Sequence, residues 1–331
     1  MEKILNWGIL STARINRALI KPLAASNRTQ LLAVASRDPF TGEAYAREWK
    51  IPKAYGDYES LLIDPEIDVI YNPLPNHLHA EWTVKALNAG KHVLCEKPLG
   101  LTLEEVDSMI KASRHNNKVL AEGLMYRHHA QTLRVKQIVQ NGDLGKVQFI
   151  RGSFSFKLNR EGDYRNFKHM GGGSLWDIGI YPISYARMIV GEDPEEVFGW
   201  QVQGAGGCDI SFAGQMKFPN GVICQFDSSF ESPFHTSMEI VGTSATLFVP
   251  KPFKPGKSNT LLIRREDEEK STTIDGGDLY LGEVEDMVSS ILEEKPPRVT
   301  LQDSRGNIAA ILALLDSAEK RRPVSVKERS G

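Results

Sequence analysis

The feature that most constrains the fold is an alternation: in the first third of the chain, short apolar runs give way to amphipathic stretches five times over. Residues 4–9 (ILNWGI) read as a buried strand, and 13–25 as a helix with Ile15, Leu19, Ile20 and Leu23 along one face. Further strands are expected at 30–36, 69–72, 92–95 and 119–122. Helical stretches at 41–49, near Ser60, at 80–89 and at 104–115 separate them. Each helix is long enough to carry the chain back over the sheet, so the strands come out mostly parallel and covered by helices, an α/β arrangement.

After Tyr126 the periodicity changes. A helix is expected at 130–141 and another after the glycines at 171–173. Between and beyond them, strand-like runs fall at 147–156, 197–203, 210–218, 221–230, 235–241, 245–249 and 260–265, with turn signals P-N-G and V-G-T-S between neighbours. Helices return at 281–292 and 303–320. The expectation is a dinucleotide-binding α/β domain over 1–125 with a mostly parallel sheet. An α+β domain over 126–331 would follow, with a large, mainly antiparallel open sheet and its last helix, 303–320, packing back on the first domain. An open sheet has to cover its second face, so a homodimer or homotetramer through the C-terminal sheet is expected.

Charge and cysteine content exclude several function classes. Forty Lys plus Arg oppose 42 Asp plus Glu, a net charge of −2, so no basic field recruits nucleic acid. Cys95, Cys208 and Cys224 are odd in number and widely spaced, which argues against a disulfide framework or a cysteine-rich zinc site. His77, His79, His128 and His129 form two pairs in separate loops, a poor metal set. No stretch approaches eighteen apolar residues, and the N-terminus lacks a basic, apolar, small-residue leader pattern. A cytoplasmic protein with no membrane partner is expected.

The W7-G8-I9-L10-S11-T12-A13-R14-I15 segment joins the first strand to the first helix, where pyrophosphate approaches the backbone in dinucleotide folds. Against a G-x-G-x-x-G pattern, Gly8 supplies the tight turn, Leu10 stands at the second glycine with its side chain turned away, and Ala13 allows close packing. Alone, the segment suits a dinucleotide site and an ordinary tight turn equally. The second strand ends in Ser36-Arg37-Asp38. Ser36 and Arg37 suit a 2'-phosphate and hence NADP; Asp38 is the counterweight, as an acceptor for a free 2'-hydroxyl and hence NAD.

Two clusters carry chemistry. In C95-E96-K97-P98, Lys97 lies just beyond the end of a parallel strand, where such sheets bind ligands, and Glu96 is placed to orient or balance its amine. In G171-G172-G173-S174-L175-W176-D177-I178-G179-I180-Y181, the glycines permit close backbone approach and Ser174 is a helix cap. Asp177 and Tyr181 stand four apart on one helix face. A carboxylate beside a phenol suits a polyol, the one accepting hydroxyl protons and the other relaying them.

On these segments, together with N72-P73-L74-P75-N76-H77-L78-H79, the chain resembles the glucose-fructose oxidoreductase, inositol dehydrogenase and rhizopine-catabolism family over nearly its whole length. It is most similar to the branch of D-xylose dehydrogenase and dimeric dihydrodiol dehydrogenase, which places tyrosine where many relatives place histidine. The resemblance implies a Rossmann first domain, NADP as cofactor with NAD as alternative, and a cis peptide before Pro98. It further implies Lys97, Tyr181 and Asp177 as the catalytic set. The cofactor set comprises Gly8, Leu10, Ser11, Thr12, Ala13, Arg14 and Ile15 of the first turn, with Ser36 and Arg37. Pro73, Leu74, Asn76, His79, Glu96 and Lys97 complete it. Arg127, Tyr164 and Arg165 join Asp177 and Tyr181 as substrate residues, with domain-junction packing an equal reading of Arg127. The expected activity is hydride transfer between NADP and a sugar or polyol. A dihydrodiol or dicarbonyl substrate and a non-catalytic NADP-binding regulator are the alternatives.

Overall fold

In a computed structural model the described residues are 3–326. They fall into two compact units, one formed by the chain up to His128 with Tyr280–Arg305, the other by His129–Leu279 with the chain from Gly306.

The first unit realises the alternation. Its strands are β1 (Leu5–Leu10), β2 (Thr29–Ala35), β3 (Lys53–Tyr55), β4 (Val69–Asn72), β5 (His92–Glu96) and β6 (Leu120–Gly123). Between them run α1 (Asn16–Ala25), α2 (Pro39–Trp49), α3 (Tyr58–Ile63), α4 (His79–Asn88) and α5 (Leu103–His115). All six strands are parallel, in the order β3-β2-β1-β4-β5-β6. The order reverses between β1 and β4, the topological switch point at whose carboxyl end open α/β sheets bind ligands. Trp7, Ile9, Val34, Val69 and Tyr71 from the strands and Leu19 and Leu23 from α1 form the core.

The second unit opens with α6 (Ala130–Gln140) and β7 (Val147–Ser155) and continues through α7 (Ile180–Val190). There follow β8 (Glu196–Gln203), β9 (Asp209–Lys217), β10 (Ile223–Ser229), β11 (His235–Gly242), β12 (Thr246–Val249), β13 (Ser258–Arg264) and β14 (Glu269–Asp275). After α8 (Leu281–Leu292) and α9 (Leu301–Lys320), β15 (Val324–Ser325) completes a sheet ordered β14-β13-β12-β11-β7-β10-β9-β8-β15. It is antiparallel except where β7 lies between β11 and β10 and pairs with β10 in parallel. Its outward face carries Trp200 and Val202 on β8 and Phe149 on β7, which are exposed.

The division of the chain differs from a single break at 125. Helix α8 belongs to the first unit, because Val284, Met287 and Val288, at helical spacing, enter the core beside α1. Arg28, following α1, is paired with Glu285 and Glu293. Of the last helix, expected on the first domain, only the opening turn is counted there. From residue 306 onward it packs on the second unit's sheet, where Gly199 and Gly214 leave room for Leu314.

Candidate active site

The turn between β1 and α1 corrects the glycine assignment. Gly8 lies inside β1, paired with Ala33 and Ile70, and a Cβ there would meet Leu61 at 3.0 Å and Ile67 at 3.3 Å. It serves packing beneath the sheet, not the turn. The left-handed residue is Ser11, at φ 71°, whose N–H donates to the Ala35 carbonyl at 2.8 Å. The fingerprint therefore registers on Ser11 for the tight turn, Ala13 for close approach and Asn16 for close helix packing. Asn16 is fully buried and its side-chain amide donates to the Ser11 carbonyl at 2.9 Å, bracing the turn. Thr12, Ala13 and Ile15 are partly exposed and Arg14 exposed, whereas Leu10 is buried.

At the end of β2, Asp38 is occupied. Its carboxylate caps α2, accepting from the N–H groups of Phe40 and Thr41 at 3.2 Å each and from the Thr41 hydroxyl. These bonds hold its carboxyl below the usual range. Ser36 is nearly buried, with its hydroxyl accepting from the Asp38 N–H at 3.3 Å. Arg37 is exposed, and its charge reaches the Tyr58 hydroxyl.

The β4 and β5 ends are tied together. Asn72 donates to the His79 carbonyl at 3.2 Å and to the Thr83 hydroxyl at 3.1 Å, and it accepts from the Leu74 N–H at 3.3 Å. Pro73, Leu74 and Asn76 are buried. His79, expected at the cofactor, is only 1% exposed; Nδ1 lies 2.7 Å from the Pro98 carbonyl and Nε2 2.7 Å from that of Leu74. A neutral imidazole has one N–H, so the ring donates to one of these two carbonyls. Burial pushes its pKa down to about 4 against the upward pull of those carbonyls.

Glu96 ends β5 and accepts from the Tyr71 hydroxyl at 2.6 Å; burial, with Glu96 beside it, raises the Tyr71 pKa. Lys97 is half-buried and the Lys97-Pro98 peptide is cis. Arg127 is buried in a short 3-10 turn, with its guanidinium 2.8 Å from Asp303.

In the second unit, Asp177 lies in a π-helical turn, Leu175–Gly179, that leads directly into α7. Such turns are uncommon and recur at functional sites. Arg165 Nε stands 2.9 Å from Asp177 Oδ2 and its Nη1 3.1 Å from Asp163, while its guanidinium lies 4.5 Å from the Tyr164 ring centroid. Against the cost of burial, Asp177 and its acidic neighbours raise the Arg165 pKa, keeping the guanidinium charged. Tyr181, 5% exposed, packs against Phe154 and Phe253 at centroid distances of 5.3 and 5.5 Å.

The glycine run has a structural role that its sequence disguises. A Cβ on Gly172 would lie 2.5 Å from the Arg165 carbonyl oxygen, and one on Gly173, at φ 126°, 2.3 Å from Asp209 Oδ1. The glycines therefore let the chain pass between the 163–167 segment and Asp209. Ser174, expected as a cap, instead donates its hydroxyl to Asp209 at 2.6 Å, and the Leu175 N–H donates to the same carboxylate at 2.8 Å. Asp209 is 2% exposed and was not singled out in the sequence, since its partners lie 34 and 35 residues away. Among the described residues, no group of three or more His, Cys, Asp or Glu is placed to hold a metal, and no helix is long and apolar enough to cross a membrane.

Residues 5–124 match the oxidoreductase family with an NAD-binding Rossmann fold, and residues 132–248 match the GFO/IDH/MocA C-terminal domain. A D-xylose 1-dehydrogenase (NADP(+)) from Haloferax volcanii is 33% identical over 317 residues, covering 95% of this chain and 97% of that protein. A trans-1,2-dihydrobenzene-1,2-diol dehydrogenase from Danio rerio is 34% identical over 255 residues, 74% of each chain. Among solved structures, a 3-ketoreductase from Actinomadura kijaniata in complex with NADP and TDP-benzene superposes with a TM-score of 0.90 at 27% identity, covering 95% of this chain and 98% of that one.

Proposed function

The chain belongs to the GFO/IDH/MocA oxidoreductase family, and we propose that it transfers hydride between NADP and a secondary or anomeric hydroxyl of a sugar or polyol. The observation that carries the cofactor reading is the capping role of Asp38. A carboxylate already accepting from two backbone N–H groups and a hydroxyl is a poor acceptor for a ribose hydroxyl, and Ser36 and Arg37 remain to meet a 2'-phosphate. The Ser11–Ile15 turn, opening α1 with its amides, holds the pyrophosphate.

When bound, the nicotinamide supplies or accepts the hydride. Tyr181, assisted by Lys97, takes the hydroxyl proton as the carbon is oxidised and returns it in the reverse direction. Asp177, beside the Arg165 guanidinium, accepts from flanking hydroxyls, and Tyr164 offers a face to the substrate. The D-xylose dehydrogenase relative supports an aldose; the aromatic surround of Tyr181, with Phe154 and Phe253, favours a dihydrodiol as the second reading. Turnover of an aldose panel against a dihydrodiol panel separates the two. The same reading pairs copies of the chain through the outward sheet face bearing Trp200, Val202 and Phe149.

A further inference from the structure

Lys97 stands on a loop, yet proton transfer requires its amine to be aimed to within a fraction of an ångström. The structure shows what holds the loop. The peptide joining Pro98 to Leu99 has one acceptor and one donor, and both are taken by buried side chains. Its carbonyl meets His79 Nδ1 at 2.7 Å, and its N–H donates to Glu122 Oε1 at 2.9 Å. His79 and Glu122 are each 1% exposed and come from different elements, the start of α4 and the middle of β6. Pro98 and Leu99 are themselves buried, so water does not replace either partner.

We propose that His79 and Glu122 are positioning residues that grip the Pro98–Leu99 peptide, one residue beyond Lys97, from both ends and so set the direction in which the Lys97 amine projects. The neutral imidazole carries one proton, and the grip requires it on Nδ1, toward Pro98; Nε2, 2.7 Å from the Leu74 carbonyl, then donates nothing. Glu122 has Ser304, Asp303 and Arg127 among its electrostatic neighbours, and Arg127 is itself paired with Asp303 at 2.8 Å. Burial pushes the Glu122 carboxyl up to about 7, which makes a neutral acceptor a fitting replacement for it.

The inference rests on Lys97 being a proton-transfer residue in the reaction proposed above, and its test separates the two. Glu122→Met removes the acceptor, whereas Glu122→Gln keeps a carbonyl oxygen for the Leu99 N–H. His79→Leu and His79→Asn form the same contrast at the Pro98 carbonyl, and they serve if the Glu122→Met chain fails to fold. For each full-length variant, kcat, substrate KM, NADPH Kd and the acylation rate of Lys97 by acetic anhydride, relative to exposed Lys21, are measured.

Loss of the grip is expected to lower kcat about 10- to 100-fold, the range for a misplaced catalytic group, with KM and NADPH Kd within about threefold. The Gln and Asn variants should recover most of that loss. The relative labelling of Lys97 should change severalfold in Met and Leu and return toward wild type in Gln and Asn. Unchanged kcat in Met and Leu, a loss shared equally by NADPH affinity, or no recovery in the conservative variants overturns the proposal. If the wild-type chain turns over no sugar or diol, the functional reading fails, and the labelling pattern alone decides for or against the grip.

Discussion

Replacing Arg37, an exposed cation just beyond β2, with alanine tests the proposed cofactor reading. A single charge-assisted contact to phosphate contributes about 1.5–3 kcal/mol, so Arg37→Ala should raise the NADPH dissociation constant about 10- to 100-fold. NADH lacks the phosphate, and its affinity should stay within about twofold. Asp38 provides the internal control. Its carboxylate caps α2, so on the proposed reading Asp38→Ala should lower the melting temperature by a few degrees and leave NADPH affinity within about threefold. Titration of NADPH and NADH by fluorescence, at one fixed ionic strength because exposed charges are screened, measures all four constants. The reasoning is refuted if Asp38→Ala weakens NADH strongly while Arg37→Ala leaves NADPH unchanged, for then the carboxylate reads a free ribose hydroxyl.

Other outcomes follow from the buried polar groups and the open sheet. Asp209→Ala strands the Leu175 N–H in the interior and leaves the Ser174 hydroxyl only Ser228, at a cost of roughly 1–3 kcal/mol; calorimetry should show a fall of about 2–8 °C, and a fall below about 1 °C would remove Asp209 from the account. Glu122 binds its proton more tightly folded than unfolded, so its contribution to stability is present below pH 4.5 and lost as pH rises through about 7. Glu122→Gln removes that titration and should gain on wild type between pH 5 and pH 8, by at most about 3 kcal/mol, seen as several degrees in melting scans. No pH dependence of the difference would count against a raised carboxyl. Trp200→Glu places a charge on the outward sheet face and should shift sedimentation toward monomers; a monomeric wild type would dismiss that interface.

The alternation of the first unit was legible because each strand is a continuous apolar run and each helix has a clear face. Strand β3 is three residues, Lys53–Tyr55, too short to show a period. Strand β14, EKSTTID, is an edge whose residues are all partly or fully exposed, so it lacks the apolar alternation that marks a half-buried strand. Gly8 looked like a turn glycine because glycine in a strand and glycine in a turn are written alike; only the packing of Leu61 and Ile67 above it tells them apart. The true turn residue, Ser11, is a side chain in a conformation that sequence rules reserve for glycine. Asp177, Tyr181 and Lys97 stand in motifs legible in the sequence, whereas Asp209 and Glu122 accept from backbone groups far away in the chain and carry no local signal. Nor does sequence distinguish a π turn from the α-helix it precedes, since the two differ by one residue per hydrogen bond.

The central claim is hydride transfer to NADP from a sugar or polyol with Lys97 and Tyr181 moving the proton. Absorbance at 340 nm tests it, with purified chain, NADP and NAD run separately against D-xylose, D-glucose, inositols and a trans-dihydrodiol, and with Lys97→Ala and Tyr181→Phe alongside. The account predicts reduction of NADP by an aldose or polyol, falling about 100-fold or more in both variants, the usual effect of removing an acid-base group. Turnover that survives both substitutions would contradict it. Tight NADPH binding with no turnover in either direction would instead mark a nucleotide-binding regulator.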